Sequence, residues 1–522
     1  QYQGKKRNEI VCPYCKTVIK KNYAFKLWTL RHVEILNELR KGVVNKDKIL
    51  TTHYLIVKQT KKKYYICDEK DALHFLEACK ALSISFKNLE KYLPNDEIPC
   101  NNQVFAPVRE YGIKYWYELF NPRQLIALLT LLEYVNDQCK KMQCQEEMFS
   151  IANLYLALGV SKVADYNSII TTWKRGTIRD TIGQYAQGRR IVYDENYCEA
   201  IVPYRNLNWI YEPDVVEGEK TEGGIYPILS ELCKRLSGLR EKIVIMQGDS
   251  RRLSSLLSNV STDVINVDPP YFDQHIYSDI SEYFWQILRI SLNPLIETGI
   301  LFKDSLMDWS PMSPDVPREG EVIVRPVERK ENMKKCNSLF SKVWYTIQMG
   351  KVFKESSKIL KNDGVLLTWF THRSMDAWKA IVCALYTGGF YVTKLWPVTS
   401  ELLTRLVSKK KDSALNKTLI IVARKSEEKE ISEKELKDFS INMMKEICDI
   451  LLGIGTNKSE FLTFLKAAAI CALTRAPPPE NEDPIQYFEE KLIPWSTKLV
   501  NEMLDYFYER FETNSNTLEK FF

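Results

Sequence analysis

Residues 264–289 read VINVDPPYFDQHIYSDISEYFWQILR, and the groups best suited to chemistry lie near its start. Asp268 follows a β-forming run and precedes Pro269, Pro270 and Tyr271. Proline ends a strand because it brings no amide hydrogen to the ladder, yet its carbonyl still accepts. A carboxylate beside a fixed carbonyl makes a two-acceptor cradle. That cradle suits an exocyclic amino group, which offers two hydrogens. Tyr271 adds an aromatic face for a planar base. An aryl amine is a poor nucleophile because its lone pair is delocalised into the ring. Two acceptors drawing on its hydrogens favour a pyramidal nitrogen and expose the pair. Methyl transfer from a sulfonium donor then becomes an in-line displacement governed by positioning. Asp268, Pro269, Pro270 and Tyr271 are therefore the candidate catalytic set. The competing reading is a plain strand-ending turn, since four residues alone are a weak signal.

The surrounding pattern must place this turn at the carboxyl end of a strand, where open α/β sheets bind ligands. Residues 236–426 alternate accordingly. KIVIMQGD and DVINVDPP read as short strands, EYFWQILRISL and SKVWYTIQMGKVFKESSKIL as helices. DGVLLTWFTH reads as a strand, SMDAWKAIVCALYTGG as a helix, and FYVTKLWPV with KTLIIVAR as an antiparallel edge pair. Residues 106–235 read as a mainly helical insertion. NPRQLIALLTLLEYVNDQCKKM opens with Asn121 as cap and Pro122 at the first helical position. Residues 1–105 form a mixed, basic region with a hairpin-like unit and an amphipathic helix. Residues 427–522 read as a helical appendage broken at RAPPPENEDP. The expected fold class is α/β.

Other residues carry two readings each. Asn121 and Arg123 either cap a helix or meet a phosphate or cofactor carboxylate. Asp165, Tyr166 and Asn167 end an apolar helix, as structural polar groups or as base contacts. His275 and Tyr277 follow the turn and would line a base pocket, whereas Trp285 reads as core. Trp396, Thr399 and Glu401 end a later strand where a base could be held. His372 ends another strand, or is a surface loop residue. Lys61, Lys62 and Lys63, in KQTKKKYY, are solvated surface or phosphate contacts, as are Lys409 to Lys411. Cys12 and Cys15, in CPYC, give half of a tetrahedral thiolate set. Cys67 is the best third ligand, with His53 or Cys79 unsupported by spacing. The alternative is a degenerate ribbon held by packing.

The totals bound the class. A chain of 522 residues is too long for one core and implies two to four domains. Hydrophobic residues at 45% and charged residues at 27% match a soluble globular chain, and no apolar run reaches membrane length. A net charge of +6 permits nucleic-acid binding without demanding it. Thirteen scattered cysteines fit reduced thiols in a cytoplasmic protein better than a disulfide framework.

DPPY at a strand end is the signature of amino-group DNA methyltransferases, and its Asp form is the more usual one for adenine. Beyond it, the sequence resembles a family of adenine-specific DNA methylases that contain a zinc ribbon. The matching stretches are GIKYWYELFNPRQL, LALGVSKVADYNS, RNLNW, QGDSRRL, DPPYFDQHIYSDISEYFWQILR, LWPVTSE and SALNKTLIIVAR, spread over about residues 110–425 in the family's order. The resemblance implies a Rossmann-like S-adenosylmethionine-dependent sheet with a helical insertion. It implies N6 methylation of adenine in DNA, in a restriction or defence system with other subunits. Gln247, Gly248 and Asp249 would lie near the cofactor, with Asp249 at the adenosine and Asp268 beside the methyl donor. It also implies a structural zinc. The family's Gly-rich cofactor loop has no counterpart here. TGGF (387–390) and GIG (453–455) do not sit between a strand and a helix as required. The expectation is that an N-terminal segment or a second polypeptide supplies it. Rival readings are a non-catalytic DNA-binding or assembly subunit, and a methylase acting on RNA or on a protein glutamine.

Overall fold

The computed structural model describes residues 9–11, 15–60, 63–141, 147–174, 177–182, 197–200, 215–216, 219–220, 225–240, 243–301, 310–324, 341–399, 417–426, 431–478 and 480–518. The strands are β1 (Glu9–Val11), β2 (Val18–Lys20), β3 (Val57–Thr60), β4 (Lys63–Ile66), β5 (Thr172–Lys174), β6 (Thr177–Arg179), β7 (Val215–Val216), β8 (Glu219–Lys220), β9 (Thr262–Val267), β10 (Leu360–Phe370), β11 (Phe390–Thr399) and β12 (Lys417–Lys425). The helices are α1 (Lys21–Arg40), α2 (Lys46–Thr52), α3 (Glu69–Leu89), α4 (Ala106–Tyr111), α5 (Pro122–Lys141), α6 (Glu147–Asp165), α7 (Ile225–Leu236), α8 (Leu253–Leu256), α9 (Tyr277–Glu297), α10 (Lys342–Ile359), α11 (Met375–Thr387), α12 (Glu433–Ile454), α13 (Lys458–Ala472), α14 (Pro484–Tyr487) and α15 (Ile493–Leu518). None is long and apolar enough among the described residues to cross a membrane.

The chain divides into two compact units. One is Gln1–Ile245 with Ile276–Glu319; the other is Met246–His275 with Gly320–Phe522. This cut differs from the expected 236–426 domain. Helix α9 follows the DPPY turn in sequence yet packs with α5 and α6 in the first unit. Its Tyr283, Ile287, Leu292 and Leu295 are buried there, and Asn136 of α5 donates to the Ile290 carbonyl at 3.0 Å. Sequence order alone could not show which neighbour takes that apolar face.

In the first unit α5 buries Leu125, Leu128, Leu129, Leu132 and Val135, the spacing of one helical face. Helix α3 begins with a capping box between Asp68 and Asp71 and buries Phe75, Leu76, Cys79, Leu82 and Phe86. Four two-stranded hairpins, β1–β2, β3–β4, β5–β6 and β7–β8, complete its described strands. Cys139 is disulfide-bonded, contrary to the expectation of reduced thiols; the other described cysteines are free.

The second unit holds a four-stranded mixed sheet in the order β11–β12–β10–β9. Strand β9 runs parallel to β10, with Val264 opposite Val365 and Val267 opposite Thr368. Strand β12 runs antiparallel to both β10 and β11, so the expected edge pair is present, with β12 on its inner side. One sheet face presents Leu366, Phe370, Leu419, Ile421, Ala423, Val392 and Leu395 to a core shared with α10 to α13 and α15. Full burial of each Leu, Ile, Val or Phe among them contributes about 1.5–3 kcal/mol.

The C-terminal helices are therefore core, not an appendage. Ala467, Ala468 and Ala469 bring α13 close to the sheet, and Thr474 accepts from the Val392 amide at 2.8 Å. Lys417 of β12 pairs with buried Glu460 of α13 at 3.3 Å. Helices α10 and α11 meet through glycine: a Cβ on Gly388 would stand 2.5 Å from Phe353 Cβ.

One expected strand is missing. Residues 243–249, from KIVIMQGD, have no regular structure. Ile243, Val244, Ile245 and Met246 are exposed, Ile245 at 93%. A β-forming sequence becomes a strand only when a neighbour takes its amides and carbonyls, and no described strand lies beside it.

Candidate functional site

The DPPY turn begins where the β9 ladder ends. Val267 makes the last pairing with β10, and Asp268 follows at the carboxyl end of the strand. Asp268 is exposed, and its Oδ1 accepts from the Tyr271 hydroxyl at 2.7 Å. Pro269 is buried. The Pro270 carbonyl takes two donors, the Phe272 amide at 2.8 Å and the Tyr345 hydroxyl at 2.7 Å. Among the described residues no donor reaches the Pro269 carbonyl. Asp268 thus already accepts one hydrogen bond, whereas the Pro269 carbonyl belongs to a buried residue with no described donor. Tyr271 is half-buried against Phe370, with ring centroids 6.0 Å apart.

The turn is held from behind. Phe272 has φ +55°, a left-handed conformation that costs a bulky side chain energy and persists only under constraint. The constraints are visible. Its ring is buried against Tyr345 at 5.2 Å and His372 at 5.7 Å, and its carbonyl accepts from the Val324 amide at 2.9 Å. His372 Nδ1 accepts from the Ser374 amide at 3.0 Å, so its proton sits on Nε2 and is donated to Asp273 Oδ1 at 2.9 Å. Tyr345, His372 and Asp273 are parts of this scaffold whose roles the sequence did not reveal. His372 was legible only as the end of a strand, and nothing marked Tyr345. His275 of this unit is half-buried.

The sheet's second face is less covered. Val365, Leu367, Trp369, Ile420 and Val422 are half-buried, while Val264 is 53% and Trp396 52% exposed. Trp396 lies on β11 opposite Ile420, and the Trp369 indole donates to Asn266 Oδ1 at 2.8 Å. Thr399 ends β11. Glu401 and Lys409 to Lys411 lie outside the described residues.

The residues expected near a cofactor divide between the units. In the second unit Asp249 caps the turn Ser250–Arg252 and binds the Arg251 guanidinium through both oxygens, at 2.6 to 3.0 Å. That bonding holds its carboxyl below the usual range. Gly248 lies next to it, where a Cβ would stand 2.5 Å from Leu256 Cδ1. In the first unit Asn121 exchanges hydrogen bonds with Gln124, both at 2.9 Å, and donates to Tyr197 and Glu199 at 3.1 Å. Arg123 forms a two-point pair with Glu199, at 2.6 and 2.9 Å, and lies over the Phe75 ring. Asn167 is buried and accepts from Gln124 and the Ala200 amide. These three side chains are engaged in one internal network, which also reaches the buried pair His32–His53 through Tyr197. Burial lowers both imidazoles, His32 to about 4. Asp165, at the end of α6, is raised to about 7 by burial and by Asp180.

Tyr277, the first residue of α9, is 42% exposed. Trp285 is half-buried and donates to the Ser313 carbonyl at 2.8 Å. Of the lysine patch, Lys63 is exposed, and Lys61 and Lys62 lie outside the described residues.

The metal reading finds partial material. Cys12 lies outside the described residues, Cys15 is exposed with Thr17 Oγ1 at 3.1 Å, and Cys67 is half-buried. Burial raises the Cys67 thiol, which works against the thiolate that zinc needs. Among the described residues no three His, Cys, Asp or Glu side chains group to hold a metal.

The Gly-rich turn is absent from the sequence and Asp249 is tied to Arg251. The residues present thus make at most part of an S-adenosylmethionine site. Comparison with protein-family models, with curated proteins and with solved structures found no match to this chain.

Proposed function

We propose that this chain is the catalytic part of an S-adenosylmethionine-dependent DNA methyltransferase acting on the N6 amino group of adenine, in the cytoplasm and within a restriction or defence system. The observation that carries the proposal is the exposed Asp268 carboxylate at the carboxyl end of β9, beside a Pro269 carbonyl with no described donor. The cofactor supplies the methyl group when bound. This chain's residues hold the acceptor. Asp268 and the Pro269 carbonyl take the two amine hydrogens, and Tyr271 offers its ring to the base, turned out of the duplex. The Tyr271 hydroxyl now on Asp268 must share that carboxylate with the arriving amine. The bound cofactor would supply the methyl carbon and leave as a neutral thioether, and the amine, held by Asp268 and the Pro269 carbonyl, would release its surplus proton to solvent.

The partner reading finds support in the sheet. Strand β9 runs parallel to its one neighbour, its other edge is unpaired among the described residues, and Val264 is exposed on it. Parallel sheets are usually covered on both faces, and an unpaired strand edge is a template for a further strand. A second polypeptide or N-terminal segment bearing a strand and the Gly-rich turn would meet that edge. Isothermal titration with the sulfonium cofactor tests this. The isolated chain should bind weakly, and micromolar affinity would show that the cofactor site lies elsewhere.

The bond between Arg251 and Asp249 favours a second reading, a non-catalytic DNA-binding or assembly subunit. Photocrosslinking of cofactor in the complete complex separates the two. Label on this chain supports catalysis, and label on other subunits alone supports the assembly role.

A further inference from the structure

Strands β3 and β4 make a two-stranded ribbon that little covers. All four residues of β4, Lys63, Tyr64, Tyr65 and Ile66, are exposed, with Ile66 at 84%. Tyr54, Ile56 and Val57 on the approach to the ribbon and along β3 are exposed too. Single exposed apolar residues need no explanation, but a run of them does. A lone ribbon is also marginal in water. This one is fastened at its base, where the Cys67 amide donates to the Ile56 carbonyl at 3.0 Å and Lys58 binds Asp71 at 2.7 Å. On the other side Tyr64 meets Trp173 of β5 edge-on, with centroids 6.2 Å apart and planes at 87°.

The pairing sorts the side chains. Val57 lies opposite Ile66, Gln59 opposite Tyr64, Lys58 opposite Tyr65 and Thr60 opposite Lys63. Opposed residues share a face. Tyr65 and Lys63 therefore share one face with Lys58, and Tyr64, Val57 and Ile66 share the other. The sequence from Thr60 to Tyr65, TKKKYY, carries three consecutive lysines and no acid. The next acids in the sequence, Asp68, Glu69 and Asp71, stand at the start of α3, where Lys58 lies 3.8 Å from Asp68 and 2.7 Å from Asp71.

Charge decides the occupant. An apolar protein partner has no use for a run of lysines ending at exposed Lys63, whereas a polyanion does. We propose that the β3–β4 ribbon, braced by Trp173, is a duplex-DNA-binding surface, with Lys63 on phosphate and the ribbon in the major groove. That groove is about 12 Å wide and admits a two-stranded ribbon. Tyr65 adds contact area beside the lysine. The choice of DNA rests on the proposed function; the surface itself rests on the exposure, pairing and charge of the ribbon.

The test uses the full chain and a labelled duplex of about 30 base pairs, titrated by fluorescence anisotropy from about 50 to about 200 mM salt. Lys63→Glu should weaken binding and flatten the slope of log K against log salt by roughly one, the share of one phosphate contact. Tyr65→Ala should weaken binding several-fold and leave the slope unchanged. Both positions are exposed, so melting should match the parent chain. The proposal is overturned if the parent does not bind duplex, prefers the single strand, or if either ribbon variant binds like the parent. Full methyl transfer by Asp268→Ala would sink the catalytic reading and leave the ribbon standing. Unchanged binding by the ribbon variants, with transfer lost in Asp268→Ala, would sink the ribbon alone.

Discussion

Tyr345→Phe removes one oxygen atom from the support of the DPPY turn. The lost group donates at 2.7 Å to the Pro270 carbonyl from a buried residue, and the ring still packs on Phe272 at 5.2 Å. No cavity of consequence opens. The carbonyl keeps the Phe272 amide, so no acceptor is orphaned. The stability cost should be that of one hydrogen bond, about 1 kcal/mol. In a unit of this size that lowers the midpoint by roughly 2–4 °C. The effect on chemistry should be larger. With Tyr345 gone, the strained Phe272 and its neighbours can relax, and a shift of about 1 Å at a reacting centre can cost on the order of 100-fold. Urea unfolding gives the first quantity. Methyl transfer from radiolabelled cofactor to unmethylated DNA, with the complete complex, gives the second. A large rate loss beside a small stability loss would fit a positioning role. Unchanged transfer would refute the idea that this turn must be held still.

Three further outcomes are expected. Glu460→Gln should cost about 3–5 kcal/mol of unfolding free energy, the cost of unpairing a buried ion, read as a sharp fall in the urea midpoint, because Lys417 stays buried beside it; an unchanged midpoint would contradict that pairing. Arg123→Lys should destabilise the first unit, since an ammonium cannot make the two-point contact to Glu199, and should leave cofactor crosslinking unchanged; lost crosslinking would restore Arg123 as a cofactor residue. Asp165 has its carboxyl raised from 3.8 to about 7. The folded unit therefore keeps a proton that the unfolded chain releases. Its contribution is fully present below about pH 4, declines as pH rises, and is gone above about pH 7. The melting difference between the parent and Asp165→Asn, followed from pH 4 to 8, should show that decline; a flat difference would show Asp165 to be ionised in the fold.

The regular elements of the second unit were legible because each carries its own period and punctuation. DGVLLTWFTH, KTLIIVAR and the α10 and α11 sequences became the elements they suggest. The β3–β4 hairpin and α3 were legible for the same reason. What failed depended on partners. KIVIMQGD has strand residues but no described neighbour, so it stays irregular. The C-terminal helices looked like an appendage because an amphipathic face does not name what it covers; their Phe461, Phe464 and Leu465 lie in the sheet's core. Asn121, Arg123 and Asn167 looked available because sequence cannot show Glu199 and Gln124 arriving from far along the chain. The turn at Asp268 to Tyr271 was legible as the end of a strand, where local rules suffice. The clamp of Tyr345 and His372 was not, because both come from distant segments.

The central claim is that Asp268 receives the amine of an everted adenine. Methyl transfer to unmethylated DNA by the complete complex carrying Asp268→Ala measures it directly. Loss of transfer by a factor of about 100 or more, with melting and DNA affinity unchanged, is the predicted result. Transfer at the parent rate would contradict it.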